Sequence, residues 1–226
     1  MLQTRFPRPP GDIGHPATFG FEVRRRVVQG ASPARVVRAE PPGASAGPEE
    51  AAWLQPFITA GEELVAQGAR ALGTSCGFLA GWQRELQAAL PVPVWTSALL
   101  KLAELRGTRC GVITIEAASL SAAHFLAVDA DPQTPVEGIT PGSALHATLL
   151  QDLPTLDEDD ACRQVVAAGQ RLVARHRDLQ ALVLECTNLP PYARALQQAV
   201  GLPVHDIVSL LNERMAGLDG AAASAR

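Results

Sequence analysis

Short apolar runs alternate along this chain with stretches whose apolar residues recur at helical spacing. After a Pro- and Gly-rich opening come two short β-like runs, around Val27-Val28 and Val36-Val37. The segment from Glu40 to Pro48 is built of Pro, Gly, Ala and Ser and reads as a surface loop. Helical periodicity then runs from Glu49 to about Gln67. A strand through Ala71-Leu72-Gly73-Thr74 ends in the loop Ser75-Cys76-Gly77. A helix to Leu90, a strand at Val92-Pro93-Val94-Trp95 and a helix to about Leu105 follow. The second half starts with the strand Cys110 to Ile115, the loop Glu116 to Ser119, a helix, and a strand from Val136 to Ile139. Helices near Ser143 to Leu150 and from about Glu158 to His176 precede the strand Ala181 to Leu184 and the loop Glu185-Cys186-Thr187-Asn188. A helix to Val200, the strand Leu202-Pro203-Val204 and a last helix from Asp206 to Met215 complete the pattern. The final Ala-Ser-Arg tail is expected to be disordered.

Strands that alternate with helices predict an α/β protein with largely parallel sheets covered on both faces. Ligands of such sheets bind at the carboxyl ends of the strands. Cys76 and Cys186 both stand there, in the first turn after an apolar strand and just before a helix.

The chain also resembles itself. A shift of 110 residues lays Cys76–Leu100 over Cys186–Leu210 without a gap, and nine of the 25 positions are identical. The matches include the two cysteines, Leu79 with Leu189, Leu86-Gln87 with Leu196-Gln197, and Pro93-Val94 with Pro203-Val204. The expected architecture is two pseudo-symmetric lobes, each a mostly parallel sheet flanked by helices, with a site in the cleft between them. Residues 1–95 plus 206–226 form lobe 1, which carries Cys76. Residues 96–205 form lobe 2, which carries Cys186.

Equivalent loops facing each other across a cleft suit a two-base reaction. One thiolate removes a proton α to a carboxylate, and the opposite thiol supplies one to the other face. A helix N-terminus lowers a thiol pKa, so both cysteines are expected to favour the thiolate. The backbone N–H groups of Gly77 and Thr187 are placed to hold the substrate carboxylate. Thr74, Ser75, Thr187 and Asn188 offer short polar side chains for the same task, and Thr114 and Ser119 border the loop that opens lobe 2. Glu185 either tunes Cys186 or caps a backbone group. Arg5 and Arg8 either clamp a second carboxylate or are surface charges. Asp206 is expected as a helix N-cap. Cys110 and Cys162 read as structural.

Composition narrows the field. The net charge of −4 and pI near 5.7 argue against nucleic acid or an anionic membrane as partner. The opening has no apolar signal region, and no apolar stretch is long enough to span a bilayer. A soluble, cytoplasmic protein with free thiols is expected. No Cys/His spacing suggests a metal site. Lys101 is the sole lysine and lies in a helical pattern away from any glycine-rich loop, which argues against pyridoxal phosphate. No cofactor is expected.

At its two cysteine loops the chain resembles the aspartate/glutamate racemase superfamily. The segments Gly73-Thr74-Ser75-Cys76-Gly77-Phe78-Leu79 and Leu184-Glu185-Cys186-Thr187-Asn188-Leu189-Pro190-Pro191-Tyr192 look like its signature loops. The opening, Thr4 to Asp12, looks like that of an uncharacterised branch. The resemblance implies a cofactor-independent racemase or epimerase of an acidic or related amino acid, with Cys76 and Cys186 as paired acid and base, and a homodimer. It also implies alternatives on the same scaffold: a decarboxylase, a cis–trans isomerase, a lyase or a non-catalytic carboxylate-binding protein. Two departures stand out. Gln3 occupies the place of an acidic residue at the end of a first strand, which is expected to be short or missing. Phe78 replaces a small polar residue and makes the pocket less polar.

Overall fold

The computed structural model describes residues 1–42 and 48–224. Most of the expected 40–48 loop and the end of the C-terminal tail lie outside the described residues. The elements run α1 (Pro33–Val37), α2 (Pro48–Ala66), β1 (Leu72–Gly73), α3 (Gln83–Ala89), β2 (Val94–Trp95), α4 (Leu100–Glu104) and β3 (Cys110–Thr114). They continue with α5 (Ala122–Ala127), β4 (Val136–Gly138), α6 (Ala144–Leu150), α7 (Glu158–Arg175), β5 (Ala181–Leu184), α8 (Ala193–Val200), β6 (Val204–His205) and α9 (Ile207–Ser224).

Lobe 2 is built on a four-stranded parallel sheet in the order β4-β3-β5-β6. Every residue of β3 and β5 is buried, which is why both segments read as unbroken apolar runs. Glycines let helix and sheet approach closely on the α7 face. A Cβ on Gly111 would lie 2.9 Å from Leu172 of α7, and one on Gly169 would lie 2.2 Å from Leu196 of α8. The Asp157 side chain accepts the Asp160 N–H at the start of α7, and Glu158, Asp159 and Asp160 suit the positive end of the helix dipole. Gly201, left-handed at φ 71°, ends α8.

Lobe 1 has a smaller sheet, β1 parallel to β2. The Met1 amino group donates to Arg26 O (2.6 Å) and Val28 N donates to Met1 O (2.9 Å), the bonding of a parallel bridge. Leu2 N donates to Ser75 Oγ at 2.8 Å on the other side. Residues 1–3 therefore lie between 26–28 and the loop after β1, as β3 lies between β4 and β5.

Some expectations needed correction. Val36-Val37 ends helix α1, because Pro33 at the first helical position presets a helical turn that buries both valines. Val27-Val28 belongs to neither sheet, although Val28 N bonds Met1 O beside it. The helix expected directly after Cys76 is first a 3₁₀ turn, Gly77–Trp82, and only then α3. A similar 3₁₀ turn, Pro190–Tyr192, precedes α8. The last helix runs on past Met215 to Ser224. Asp206 does act at its start, accepting the Ser209 N–H at 2.7 Å.

The 110-residue repeat reappears as repeated hydrogen bonds. Leu79 N donates to Cys76 O and Leu189 N to Cys186 O, both at 3.1 Å. Leu72 N bonds Pro93 O (2.9 Å), and Leu182 N bonds Pro203 O (2.8 Å). Gln87 Oε1 accepts from Val94 N at 2.9 Å, and Gln197 Oε1 from Val204 N at 3.2 Å. The shared Gln has a reason: it ties the helix after each cysteine to the strand that follows.

Candidate active site

The loops after β1 and β5 converge. Cys76 and Cys186, each 7% exposed, line one small cavity together with Ser75, Gly77, Phe78, Thr187 and Asn188. The rest of its wall is apolar, with Leu2, Phe6, Pro33, Val37, Ile115, Leu149 and Leu150 from the N-terminal segment, α1, the end of β3 and α6. Its volume of about 20 Å³ is room for roughly one water molecule.

Glu185, directly before Cys186, is fully buried at the same place. Thr114 Oγ1 donates to its Oε2 at 2.6 Å, whereas Oε1 has no partner among the described residues. The Oε1 side abuts the Cys76 loop: a Cβ built on Gly77 would lie 2.1 Å from Glu185 O and 2.3 Å from Oε1. Only glycine fits at 77, for want of space. Burial pushes the Glu185 carboxyl up to about 7, the Thr114 hydroxyl holding it back somewhat.

Both cysteines are the reverse of what their place before a helix suggests. Burial, and next the Glu185 charge, push the Cys76 thiol up to about 12, against weaker pulls from the Phe78 and Leu79 N–H groups and Arg8. Cys186 is raised well above its ordinary value by burial and then by Glu185. The short 3₁₀ segments that follow offer too little dipole to offset burial in an apolar wall.

A relay of polar groups reaches Cys186 from the N-terminal segment. The Cys186 thiol donates to Asn188 Oδ1 (3.8 Å), and Asn188 Nδ2 donates to Asp12 Oδ2 (2.6 Å). Arg8 Nη1 bonds Asp12 Oδ1 at 2.8 Å, and Arg8 Nη2 bonds Thr4 Oγ1 at 3.0 Å. Asp12 is 1% exposed. Sequence reasoning missed it as a site residue. Asp12 is a buried acid of the N-terminal segment, whereas Gln3, at the place where an acid was sought, accepts a hydrogen bond from Gly30 N. The available signal was an acidic residue between two turn glycines, Gly11-Asp12-Ile13-Gly14, in the very stretch that carried the family likeness.

The other expected site residues divide. Ser75, Gly77, Phe78, Thr187 and Asn188 line the cavity, and Thr187 Oγ1 is buried without a partner. Thr74 Oγ1 is spent on Cys76 O (2.9 Å) and Thr96 O (2.6 Å), which shapes the loop. Thr114 meets Glu185 and is not among the residues lining the cavity. Ser119 ends a 3₁₀ turn, also away from the cavity wall. Arg5 is exposed and tied to Asp152: its backbone N donates to Asp152 Oδ1 at 2.6 Å and its Nε to Oδ2 at 3.4 Å. Asp152, at φ 55°, also takes the Phe6 N–H. A larger cavity of about 350 Å³ lies in lobe 1, walled by Ile13, Phe19, Phe21, Trp95, Leu211 and Met215. It touches Thr74 and Ser75 but neither cysteine. No described helix is long and apolar enough to cross a membrane.

No protein-family model matches the chain. Among curated proteins it is 28% identical over 238 residues to a dimethylsulfoniopropionate lyase of Emiliania huxleyi, covering 96% of this chain and 65% of the relative. It is 27% identical to a second one, again over 96% of this chain, covering 58% of that relative. The chain thus spans about three fifths of the length of these relatives. Among solved structures, glutamate racemase from Thermus thermophilus superposes with a TM-score of 0.51 at 23% identity, over 88% of this chain and 68% of that one. Allantoin racemase from Klebsiella pneumoniae gives 0.53 at 19% identity, over 84% and 80%. At such identities the likeness speaks for the fold alone: the chain shares the two-lobed α/β fold of these two racemases.

Proposed function

We propose that this chain is a lyase that removes the α-proton of a small carboxylate with a cysteine thiolate and expels the β-substituent. The substrate class is a β-onium carboxylate such as dimethylsulfoniopropionate. The observation that carries this reading is the inequivalence of the two cysteine loops. A shift of 110 residues pairs Ser75 with Glu185 and Gly77 with Thr187, and only the Cys186 loop has the Asn188–Asp12 relay. Two-base racemisation needs an acid and a base on opposite faces of the substrate, whereas elimination needs one base and is served by one specialised loop. The apolar wall adds support. Among the residues lining the cavity none is cationic, which suits one carboxylate and a weakly hydrated cationic end against Phe78. Similarity to the Emiliania lyases over nearly the whole chain points the same way.

The step balances simply. Thiolate sulfur takes the α-proton and becomes a thiol. The Cα–H electron pair becomes the second Cα–Cβ bond, and the Cβ–S pair leaves with the sulfide, giving dimethyl sulfide and acrylate. The N–H groups at Gly77 and Thr187, with the free Thr187 hydroxyl, are the groups to hold the carboxylate as charge builds at Cα.

The second reading, racemisation of an amino acid, draws support from the paired cysteines and the fold. One experiment separates the two: incubation with dimethylsulfoniopropionate and gas-chromatographic detection of dimethyl sulfide, beside solvent-deuterium incorporation at Cα of D- and L-amino acids. Sulfide release, with unequal losses in Cys76→Ser and Cys186→Ser, is the expected result. Exchange with inversion on an amino acid, abolished equally by both variants, would establish the racemase instead.

A further inference from the structure

Burial and charge leave the site with a problem that its two cysteines do not solve. Both thiols sit in an apolar wall that holds them protonated, yet abstraction at Cα needs a thiolate. A group buried behind the two cysteine loops is needed to accept the thiol proton.

We infer that Glu185 is that group: its unpartnered Oε1, packed against Gly77 between the two cysteine loops, takes the proton from the thiol that works as base. This rests on the proton-abstraction reading above and adds a proton acceptor to it. The argument is geometric. Glu185 is fully buried, yet one of its oxygens makes no hydrogen bond, a costly state for a carboxylate with a merely structural role. That oxygen abuts the loop of one cysteine, and the residue itself adjoins the other in the chain. Thr114 fixes the second oxygen and so fixes where Oε1 points. The repeat isolates the feature further: Ser75, the counterpart in lobe 1, accepts the Leu2 N–H instead. The carboxylate is therefore an addition to one loop, not a requirement of the loop's fold.

The charged and titratable groups around Glu185 are few. The charge of Glu185 acts on both thiols, Arg8 acts on the Cys76 side, and Asp12 acts on the Cys186 side, where it also bonds Asn188. The S–H bond breaks as an O–H bond forms at Oε1. The thiolate then takes the α-proton and is a thiol again. Glu185 resets by giving its proton to solvent, which is the one proton that elimination releases overall. Its burial places this exchange at about pH 7.

The test follows the pH dependence of thiol reactivity, which needs no substrate. Cys76 and Cys186 are labelled with methyl methanethiosulfonate, a small neutral reagent, and each is read separately by peptide mass spectrometry. In the intact chain the rate for at least one thiol should rise through a step near pH 7, well below the thiol's own ionisation. Glu185→Gln should remove that step and slow labelling at pH 7.5 by roughly tenfold or more, with turnover of dimethylsulfoniopropionate falling roughly 10²-fold in kcat rather than in KM. Thr114→Val removes the donor to Oε2 and should move the step to higher pH, which keeps the test alive if the glutamine variant does not fold. A single alkaline limb in the intact chain that shifts to lower pH in Glu185→Gln would overturn the inference, since Glu185 would then act only as a charge that represses both thiols. Failure of both thiols to react below pH 10 would overturn it too. A step near pH 7 without lyase activity would leave the acceptor in place and sink the substrate assignment alone.

Discussion

In lobe 2 the strand leading to Cys186 runs inside a four-stranded parallel sheet, buried along its whole length. In lobe 1 the strand leading to Cys76 is two residues long and pairs with another of two. Both end in the same turn, with matched bonds from Leu79 to Cys76 and from Leu189 to Cys186. What replaces the missing ladder in lobe 1 is side-chain amide. Gln83 Nε2 donates to Val94 O (2.8 Å), its Oε1 accepts from Thr96 N (3.1 Å) and Thr96 Oγ1 (2.6 Å), and Gln87 adds Val92 O and Val94 N. At the position of Gln83, lobe 2 has Ala193. Gln197 makes the bond of Gln87 in lobe 2, so Gln83 is the addition that holds the shorter sheet of lobe 1.

The comparison breaks hardest at Gly77. Thr187 shows that the repeat tolerates a side chain at this place in lobe 2, but in lobe 1 the space belongs to Glu185. Gly77→Ala should cost more than about 3 kcal/mol in denaturant unfolding, because backbone and a buried carboxylate must both give way. Thr187→Ala should change stability little and weaken substrate binding.

Glu185 against Ser75 comes next. Burial holds the Glu185 carboxyl at about 7, above its ordinary 4.5, so the folded chain binds a proton more tightly than the unfolded chain. Between those two values stability falls as pH rises, and above about 7 the full penalty is in force. Glu185→Gln should therefore be more stable than the parent by up to about 3 kcal/mol at pH 8. That gain should shrink toward nothing near pH 4. An equal gain at both pH values would mean that the charge is not the cause. Ser75→Ala should show no such pH dependence.

The glutamines sharpen the comparison at smaller cost. Gln83→Ala should destabilise by about 2 kcal/mol, since it leaves the buried Thr96 unpaired. Gln87→Ala should cost about 1 kcal/mol, and Gln197→Ala, whose strand is held by its ladder as well, less than that. Thermal unfolding of the three variants in one buffer gives the ranking.

Much of this could be read in the chain. Apolar runs with helical intervals located β3, β5 and α7, where burial on all sides leaves a continuous signal. The repeat located both cysteine loops. The sequence was silent where position depends on a return of the chain. Val36 and Val37 read as a strand by composition and are helical because Pro33 starts a turn. Asp12 reads as a loop acid and is buried beside Asn188, which no local pattern encodes. The ionisation of the thiols was misread for a related reason, since the helix start is visible in the sequence and the apolar wall around it is not.

The strap formed by residues 2–6 bears on how fast a ligand gets in. Phe6 and Leu2 close over the cysteines, and Asp152 holds Arg5 and Phe6 from the far side. A chamber with room for about one water cannot meet its substrate by collision. Association should then saturate as ligand concentration rises, at the rate at which the strap lets go of Asp152, instead of growing in proportion to it. Asp152→Ala should raise that ceiling, while the escape of product speeds up by the same opening.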